Sequence, residues 1–179
     1  FYTKDQNNRS INIKYNKPNE IIKEISEDIA LKKPMRRLVQ GDVGSGKTVV
    51  AAVSMFIAAK NNTQSVLLCP TEVLAEQHFK NFLEWFKKSN IKIELLTGKL
   101  PNAKRKRIYQ DLENGDIDIL IGTHAVFQDK VVMKNLGLIV VDEQQRFGVK
   151  QRFDLVKKST NRIMPHQLFM TATPIPRTL

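Results

Sequence analysis

The stretch GDVGSGKT constrains the fold of this chain more than any other feature. It satisfies the pattern GxxxxGK[ST], with Gly41, Gly46, Lys47 and Thr48 at the defined positions. An apolar run precedes the stretch and a helical pattern follows it, which is the context that the pattern requires. Because glycines let backbone amides turn inward around phosphate oxygens, the stretch predicts a phosphate-binding loop.

The side chains at the end of this loop have separate predicted roles. Lys47 would reach the terminal phosphates, and the hydroxyl of Thr48 would bind a magnesium ion. The helix that starts here also turns the positive end of its dipole towards the anion. The loop therefore predicts a nucleotide site.

Short apolar runs alternate with helical patterns along the chain. The runs are 36–40, 65–70, 92–97, 118–123, 136–143 and 166–173. The helical patterns are 20–33, 47–60, 72–88 and 101–114, with a weaker one at 146–157. Several runs are apolar at both odd and even positions, as expected of strands that are covered on both faces. The repeated order of strand, helix and strand predicts an α/β fold with a mostly parallel sheet and helices on both faces.

Two acidic residues lie at the end of the run at 136–143. A phosphate loop needs an acid at the end of another strand to hold magnesium, and ligands of such sheets bind outside the carboxyl ends of the strands. Asp142 is the candidate magnesium partner, through water, and Glu143 is the candidate that polarises an attacking water. Lys47, Asp142 and Glu143 are thus the predicted catalytic residues. The alternative for the acidic pair alone is a surface turn.

Polar groups follow other predicted strands as well. Thr71 and Thr123 are predicted helix N-caps, and each would present free amides and a hydroxyl that suit a nucleic-acid phosphate. The same geometry serves plain capping, which is the simpler interpretation. Thr171 and Thr173 would lie near the acidic pair and could hydrogen-bond to it, although a threonine-rich strand end is the alternative.

The composition agrees with one basic domain. Hydrophobic residues make up 41% of the 179 positions, and 29 Lys and Arg against 18 Asp and Glu leave a net charge of +11. This charge favours a polyanionic partner, although many basic proteins have none. Cys69 follows an apolar run, which predicts a buried, unreactive thiol. Because the sequence shows no secretory signal and no membrane-spanning stretch, we expect a cytoplasmic protein.

The first nineteen residues differ from the rest of the chain. They are polar and rich in asparagine, and Pro18 lies near their end. We therefore interpret residues 1–19 as an arm or linker. Residues 20–179 are expected to form the domain proper.

Six motifs in a fixed order carry a resemblance to a known family. They are GDVGSGKT, PTEVLAEQH, TG at 97 and 98, GTHAVFQD, VDEQQRFGV and MTATPIPRTL. The chain resembles the first motor domain of superfamily-two helicases and, within them, the RecG family of branch-remodelling DNA helicases. The resemblance runs from about residue 20 to the end. It implies a RecA-like P-loop domain that hydrolyses ATP with Mg²⁺ to remodel forks and Holliday junctions.

The resemblance also implies roles for particular residues. ATP and magnesium would bind at Gly41, Asp42, Val43, Gly44, Ser45, Gly46, Lys47 and Thr48. The DEQQ box comprises Asp142, Glu143, Gln144 and Gln145, and its two acids would drive hydrolysis. The segment that couples hydrolysis to DNA movement would be Thr171, Ala172 and Thr173. The segments that track the DNA backbone would be Pro70, Thr71, Glu72, Gly122, Thr123 and His124.

The chain departs from the family pattern in two places. Gln145 replaces a histidine that is expected to touch the coupling segment, and glutamine can donate and accept but cannot titrate near neutral pH. Near Tyr15 and Pro18, the expected adenine-recognising residues are missing. The resemblance further implies that a wedge domain and a second motor domain lie outside these 179 residues, so the piece alone would hydrolyse ATP weakly or not at all.

Two other classes of protein remain open at this level. The first is a P-loop kinase or GTPase-like switch. A GTPase should carry a guanine-reading NKxD motif, and the sequence contains none. The second is a nucleotide-gated binding module that no longer hydrolyses its nucleotide.

Overall fold

The computed structural model describes residues 9–12, 18–31, 33–42, 44–148, 154–155, 157–158, 160 and 163–172. Its strands are β1 (Arg9–Asn12), β2 (Arg36–Gln40), β3 (Gln64–Leu68), β4 (Ile93–Leu96), β5 (Ile119–Gly122), β6 (Leu136–Val141) and β7 (His166–Thr171). Its helices are α1 (Pro18–Ile29), α2 (Lys47–Lys60), α3 (Glu72–Trp85) and α4 (Asn102–Asn114), with 3₁₀ helices at His124–Phe127 and Gln144–Arg146. None of the helices in these ranges is long and apolar enough to cross a membrane.

The strands form one parallel sheet in the order β1-β2-β7-β6-β3-β5-β4. Their carboxyl ends therefore meet at a single edge. β7 lies between β2, which leads into the phosphate loop, and β6, which ends directly before Asp142. Because neighbouring strands lie about 4.8 Å apart, the ends of β2 and β6 are separated by roughly 10 Å. The predicted α/β fold with a mostly parallel sheet is confirmed.

Two apolar clusters cover the two faces of the sheet. Within β3, Leu67 belongs to the cluster that includes Phe82 of α3, whereas Val66 and Leu68 belong to the cluster that includes Ile108 of α4. The first cluster also takes in buried residues of α1 and α2. Every residue of β3 is buried, as the apolar runs predict for a strand with both faces covered. The prediction of helices on both faces is confirmed.

The strand that leads to the phosphate loop is tied to α1 by ion pairs of a buried arginine. Arg37 of β2 has a fully buried guanidinium, which donates to Glu24 at 2.7 Å and also to Asp28. A buried guanidinium needs such partners, because an unpaired charge in the interior is strongly destabilising. The contact therefore fixes α1 over the strand that positions the loop.

Two segments differ from what the sequence predicts. Arg9–Asn12 lies within the predicted arm, yet it pairs with β2 as an edge strand. A four-residue polar edge strand shows little apolar alternation, so the pattern carried no signal for it. The helix predicted for 146–157 is preceded by a 3₁₀ helix at Gln144–Arg146, and residues 149–153 lie outside the described residues. The boundary placed at residue 19 stays a prediction.

Candidate functional site: one edge of the sheet

The phosphate loop connects β2 to α2 and is shaped by its glycines. Gly44 and Gly46 have φ angles of 81° and 93°, in the left-handed region that other residues rarely adopt. Lys47 Nζ donates to the carbonyl oxygens of Gly41 at 2.5 Å and Asp42 at 2.8 Å. A phosphate group would be a stronger partner for this ammonium, because it carries negative charge that a neutral carbonyl oxygen lacks.

Two further observations test whether the loop fits a phosphate. Ser45 Oγ is buried and has no hydrogen-bond partner among the described residues, an arrangement that usually signals a missing ligand or water. The N-cap of α2, Gly46, provides no side-chain capping bond, so the first amides of the helix remain available to an anion. Thr48 is half-buried in the first turn of α2. These residues fit a nucleotide triphosphate with its magnesium ion.

β7 joins the phosphate loop to the DEQQ box. At its end, the carbonyl oxygen of Thr171 accepts a hydrogen bond from the amide of Gly41 at 3.2 Å. The hydroxyl of Thr171 donates to Oε1 of Gln145 at 3.1 Å. One residue thus contacts the first residue of the loop and the last residue of the box. This is the neighbourhood that the sequence predicts for Thr171.

Gln145 also contacts the second acid of the box. Its Nε2 donates to Oε2 of Glu143 at 2.5 Å, while its Oε1 accepts from Thr171. The amide therefore uses both its donor and its acceptor, as the sequence predicts for a glutamine in place of the family histidine. Glu143 has a φ angle of 51°, and a non-glycine residue in this region is strained. Such strain clusters at functional sites, where surrounding contacts hold it.

Asp142, the predicted magnesium partner, has a histidine beside it. Oδ2 of Asp142 lies 3.1 Å from Nε2 of His78, and both residues are buried. The sequence does not pair them, because they are 64 positions apart. The signal that the sequence did offer is weaker: His78 falls on the same face of α3 as Ala75 and Phe82, which are buried apolar residues. A histidine on an apolar stripe needs a polar partner.

Cys69 lies directly after β3 and is fully buried, as the sequence predicts. Burial raises the pKa of its thiol far above the usual range, and the nearby charge of Asp142 raises it further. The thiolate, which is the reactive form, is therefore disfavoured. This thiol is a packing group at the edge of the site.

Farther along the same edge, a shallow depression of about 450 Å³ separates the loops that follow β3, β4 and β5. Its lining residues are Pro70, Thr71, Glu72, Gly98, Thr123, His124, Ala125 and Gln128. Five of the six residues predicted to track DNA are therefore brought together in one concave surface. The exception is Gly122.

Gly122 has a packing role that the sequence did not reveal. A Cβ added at this position would lie 2.5 Å from the carbonyl oxygen of Leu96 and 2.6 Å from Cγ2 of Val126. Real Cβ atoms do not approach backbone this closely, so the neighbouring strand requires glycine here. The carbonyl oxygen of Gly122 also accepts from the amide of Cys69 at 2.8 Å.

Within the depression, Glu72 holds the loop after β4. Its Oε1 accepts from the amide of Gly98 at 3.1 Å, and its Oε2 pairs with Lys99 at 2.8 Å. The hydrogen bond from Lys99 is the main cause that lowers the pKa of the Glu72 carboxyl, and the same bond raises the pKa of Lys99. As an anion, Glu72 would repel a phosphate, so its contact with this loop is the role that the geometry supports.

The two predicted caps differ. Thr71 caps α3, since its Oγ1 accepts from the amide of Leu74 at 3.3 Å, and the capping prediction is confirmed for this residue. Thr123 precedes a 3₁₀ helix, and its side chain makes no capping bond there. The ring of His124 packs against the rings of Phe127 and Phe147, with centroids 6.0 Å and 5.6 Å away.

Some predicted site residues lie outside the described residues. These are Val43 and Thr173, together with the side chain of Gln144. Ala172, which follows β7, is half-buried at a bend. The roles assigned to all of these residues stay predictions.

The fold and the edge together define a nucleotide-binding domain, and comparison with known proteins specifies its family. The DEAD/DEAH box helicase model matches residues 19–179. The chain belongs to the DEAD/DEAH box helicase family.

Individual relatives are more specific. The chain is 50% identical over 158 residues to the ATP-dependent DNA helicase RecG of Aquifex aeolicus, covering 88% of this chain and 20% of that protein. The RecG protein of Bacillus subtilis is 47% identical over 164 residues, which are 92% of this chain and 24% of the relative. The chain thus spans about a fifth to a quarter of the length of these relatives.

A solved structure of RecG bound to a three-way DNA junction is also similar. Its match has a TM-score of 0.76 at 42% sequence identity, and it covers 89% of this chain and 21% of that one. The similarity in three-dimensional structure agrees with the family assignment and confirms the RecA-like type of the fold.

Proposed function

We propose that this chain is the ATP-binding motor domain of a DNA helicase that remodels branched DNA, by fork regression and Holliday junction migration, in repair and recombination. The observation that carries the proposal is the contact of Thr171 with both Gly41 of the phosphate loop and Gln145 of the DEQQ box. Membership of the helicase family and similarity to RecG proteins support it. The proposed partners are branched DNA and a second motor domain of the same full-length protein, acting in the cytoplasm.

The phosphate loop would bind ATP. In this proposal Lys47 exchanges its two carbonyl partners for oxygens of the terminal phosphates, and the loop amides with Ser45 Oγ take the remaining oxygens. Thr48 would hold Mg²⁺ directly, and Asp142 would hold it through water. When bound, the ion would neutralise the negative charge on the phosphates.

Glu143 would act on the water that attacks ATP. Its carboxylate is oriented by the donor of Gln145, at 2.5 Å, and an oriented carboxylate can accept a proton from a positioned water. Because the same glutamine accepts from Thr171, a change at Glu143 would reach β7 through one side chain. This is a physical route by which the state of the nucleotide could affect the coupling segment that begins at Thr171.

The depression after β3, β4 and β5 would contact the DNA backbone. Thr71 and His124 line this concave surface, and the side chain of Lys99, which follows the lining residue Gly98, is 84% exposed. The net charge of +11 favours binding to a phosphate backbone. Contacts to the phosphate backbone position a motor on DNA without reading the base sequence.

ATP hydrolysis by the full-length protein tests this proposal. We expect a branched junction to stimulate turnover more than a linear duplex of the same length and composition. Lys47→Ala should lower the stimulated rate by about 100-fold or more, because the ammonium acts on charge that develops in the transition state. DNA affinity should be largely retained.

Lys60→Ala is the matched control, because Lys60 ends the same helix and lies over the ring of Phe56. This variant should keep the wild-type rate. Unwinding that survives Lys47→Ala, or equal stimulation by branched and linear DNA, would contradict the proposal.

A further inference from the structure

Asp142 is held through its backbone and through its side chain. Its own backbone amide donates to the carbonyl oxygen of Leu68 at 2.9 Å, which continues the pairing between β6 and β3. Its side chain lies 3.1 Å from Nε2 of His78 through Oδ2. Among the described residues, Nε2 of His78 is the one hydrogen-bond partner of this carboxylate, which leaves Oδ1 for another ligand.

The direction of this hydrogen bond follows from its partners. An ionised carboxylate only accepts, so Nε2 of His78 must carry the hydrogen. Nδ1 of the same ring is buried and has no hydrogen-bond partner within the described part of the chain. The ring is packed edge-on against Phe82, with the centroids 6.4 Å apart. His78 thus presents one donor, in one orientation, to one oxygen of Asp142.

We propose that His78 is a positioning residue, which fixes the carboxylate of Asp142 in the orientation that a nucleotide-bound magnesium ion requires. The inference rests on the proposed function, because it concerns the metal that ATP would bring to this edge. Groups that hydrogen-bond to a metal-holding carboxylate typically contribute 10- to 100-fold in metal affinity or activity.

A purely structural role for His78 is the competing interpretation. The pair is buried, with 7% of His78 and 9% of Asp142 exposed, and any buried polar pair contributes to stability. The two roles differ in one respect. Loss of a structural bond would weaken nucleotide binding equally with and without magnesium, whereas loss of a positioning bond would act only when magnesium is present.

The test measures binding of a fluorescent ATP analogue to the full-length protein, in EDTA and across a Mg²⁺ titration. His78→Leu removes the donor, and we expect the magnesium concentration for half-maximal binding to rise about 10- to 100-fold. Affinity in EDTA should stay within about twofold of wild type, since P-loop contacts are untouched. His78→Gln can place an amide donor near the position of Nε2, and should restore most of the magnesium dependence.

Two variants keep the test decisive. His78→Asn is polar and close in size, but its shorter amide cannot reach Asp142, so it should behave like His78→Leu even if the leucine variant folds poorly. His166→Leu is the matched control, because the ring of His166 also takes part in a hydrogen bond, accepting from the amide of Met35 at 3.0 Å, at the opposite end of the sheet. It should leave the magnesium requirement unchanged.

The outcomes separate the inference from the proposed function. Equal losses in EDTA and in magnesium, or a glutamine variant as impaired as the asparagine variant, would overturn the positioning role and leave the motor proposal standing. Wild-type protein that binds the nucleotide with no dependence on magnesium would instead count against the proposed function itself.

Discussion

The phosphate loop and the depression differ in how their polar groups are paired. At the loop, Lys47 donates to two carbonyl oxygens of the loop itself, and Ser45 Oγ has no partner among the described residues. In the depression, Glu72 is already paired with Gly98 and Lys99. The first region leaves polar groups that a ligand can satisfy. In the second, the carboxylate of Glu72 is satisfied by neighbouring residues of the chain. Both regions lie on the carboxyl edge of one parallel sheet, where ligands of such sheets bind. They differ in whether their polar side chains already have partners.

The two regions should therefore respond to mutation in different ways. In the nucleotide region, single side chains would contact the ligand, and their loss should change chemistry with little effect on stability. In the depression, some motif positions serve packing or hold loops, so their loss should change stability or loop geometry first. Gly122 and Glu72 are the clearest examples.

The largest expected effect is a loss of stability at Gly122, where packing beside the depression leaves no room for a side chain. Gly122→Ala should lower the free energy of unfolding by about 1–3 kcal/mol, because the new Cβ would lie 2.5 Å from the carbonyl oxygen of Leu96. Gly98→Ala is the control in the same depression, since its Cβ would meet Glu72 at an ordinary 3.4 Å. Urea denaturation of both variants measures the difference. Equal stability would show that Gly122 is not required by packing.

The next effect concerns Gln145, which bridges Glu143 of the DEQQ box and Thr171 of β7. Gln145→Leu removes both hydrogen bonds of the amide, so DNA-stimulated ATP hydrolysis should fall about tenfold, which is the effect of roughly 1.4 kcal/mol. ATP affinity should stay level, because the hydrogen bonds of Gln145 within the described part of the chain go to Glu143 and Thr171 and not to the phosphate loop. Gln145→His should also alter coupling while leaving affinity level.

Gln110→Leu is the control for this bridge, because Gln110 is an exposed glutamine of α4. This helix connects β4 to β5, which lie at the end of the strand order away from β7. Stimulated and unstimulated rates that fall together in Gln145→Leu would indicate a general defect. Unchanged rates would mean that the bridge is not used.

The smallest expected effect is at the rim of the depression. Lys99→Ala should weaken DNA binding a few-fold and reduce the salt slope of binding by about one, as expected for loss of one phosphate contact. Lys87→Ala is the matched control, because Lys87 is also an exposed lysine paired with a glutamate, Glu84, but lies at the other end of α3. If both variants bind DNA alike across a salt titration, Lys99 does not contact the backbone.

Much of the fold follows from sequence pattern. The apolar runs predict β2 at its observed bounds, and the other runs coincide with β3 to β7 to within one or two residues at each end. Strands covered on both faces tend to be apolar at odd and even positions alike, which makes such runs easy to find. The edge strand Arg9–Asn12 has no such requirement, since one side of an edge lacks a neighbouring strand. Its pairing with β2 depends on tertiary contacts.

By itself, the sequence determined the phosphate loop, because close approach of backbone to phosphate demands glycines at set spacings and a lysine behind them. It also determined the strand ends, and therefore which residues share one edge. Only the tertiary structure decided which side chains meet across that edge. The contact of His78 with Asp142, and the bridge of Gln145 between Glu143 and Thr171, join residues from separate elements. Such contacts depend on strand order and helix placement, which are set by packing of the whole sheet and leave no periodic signal in the chain.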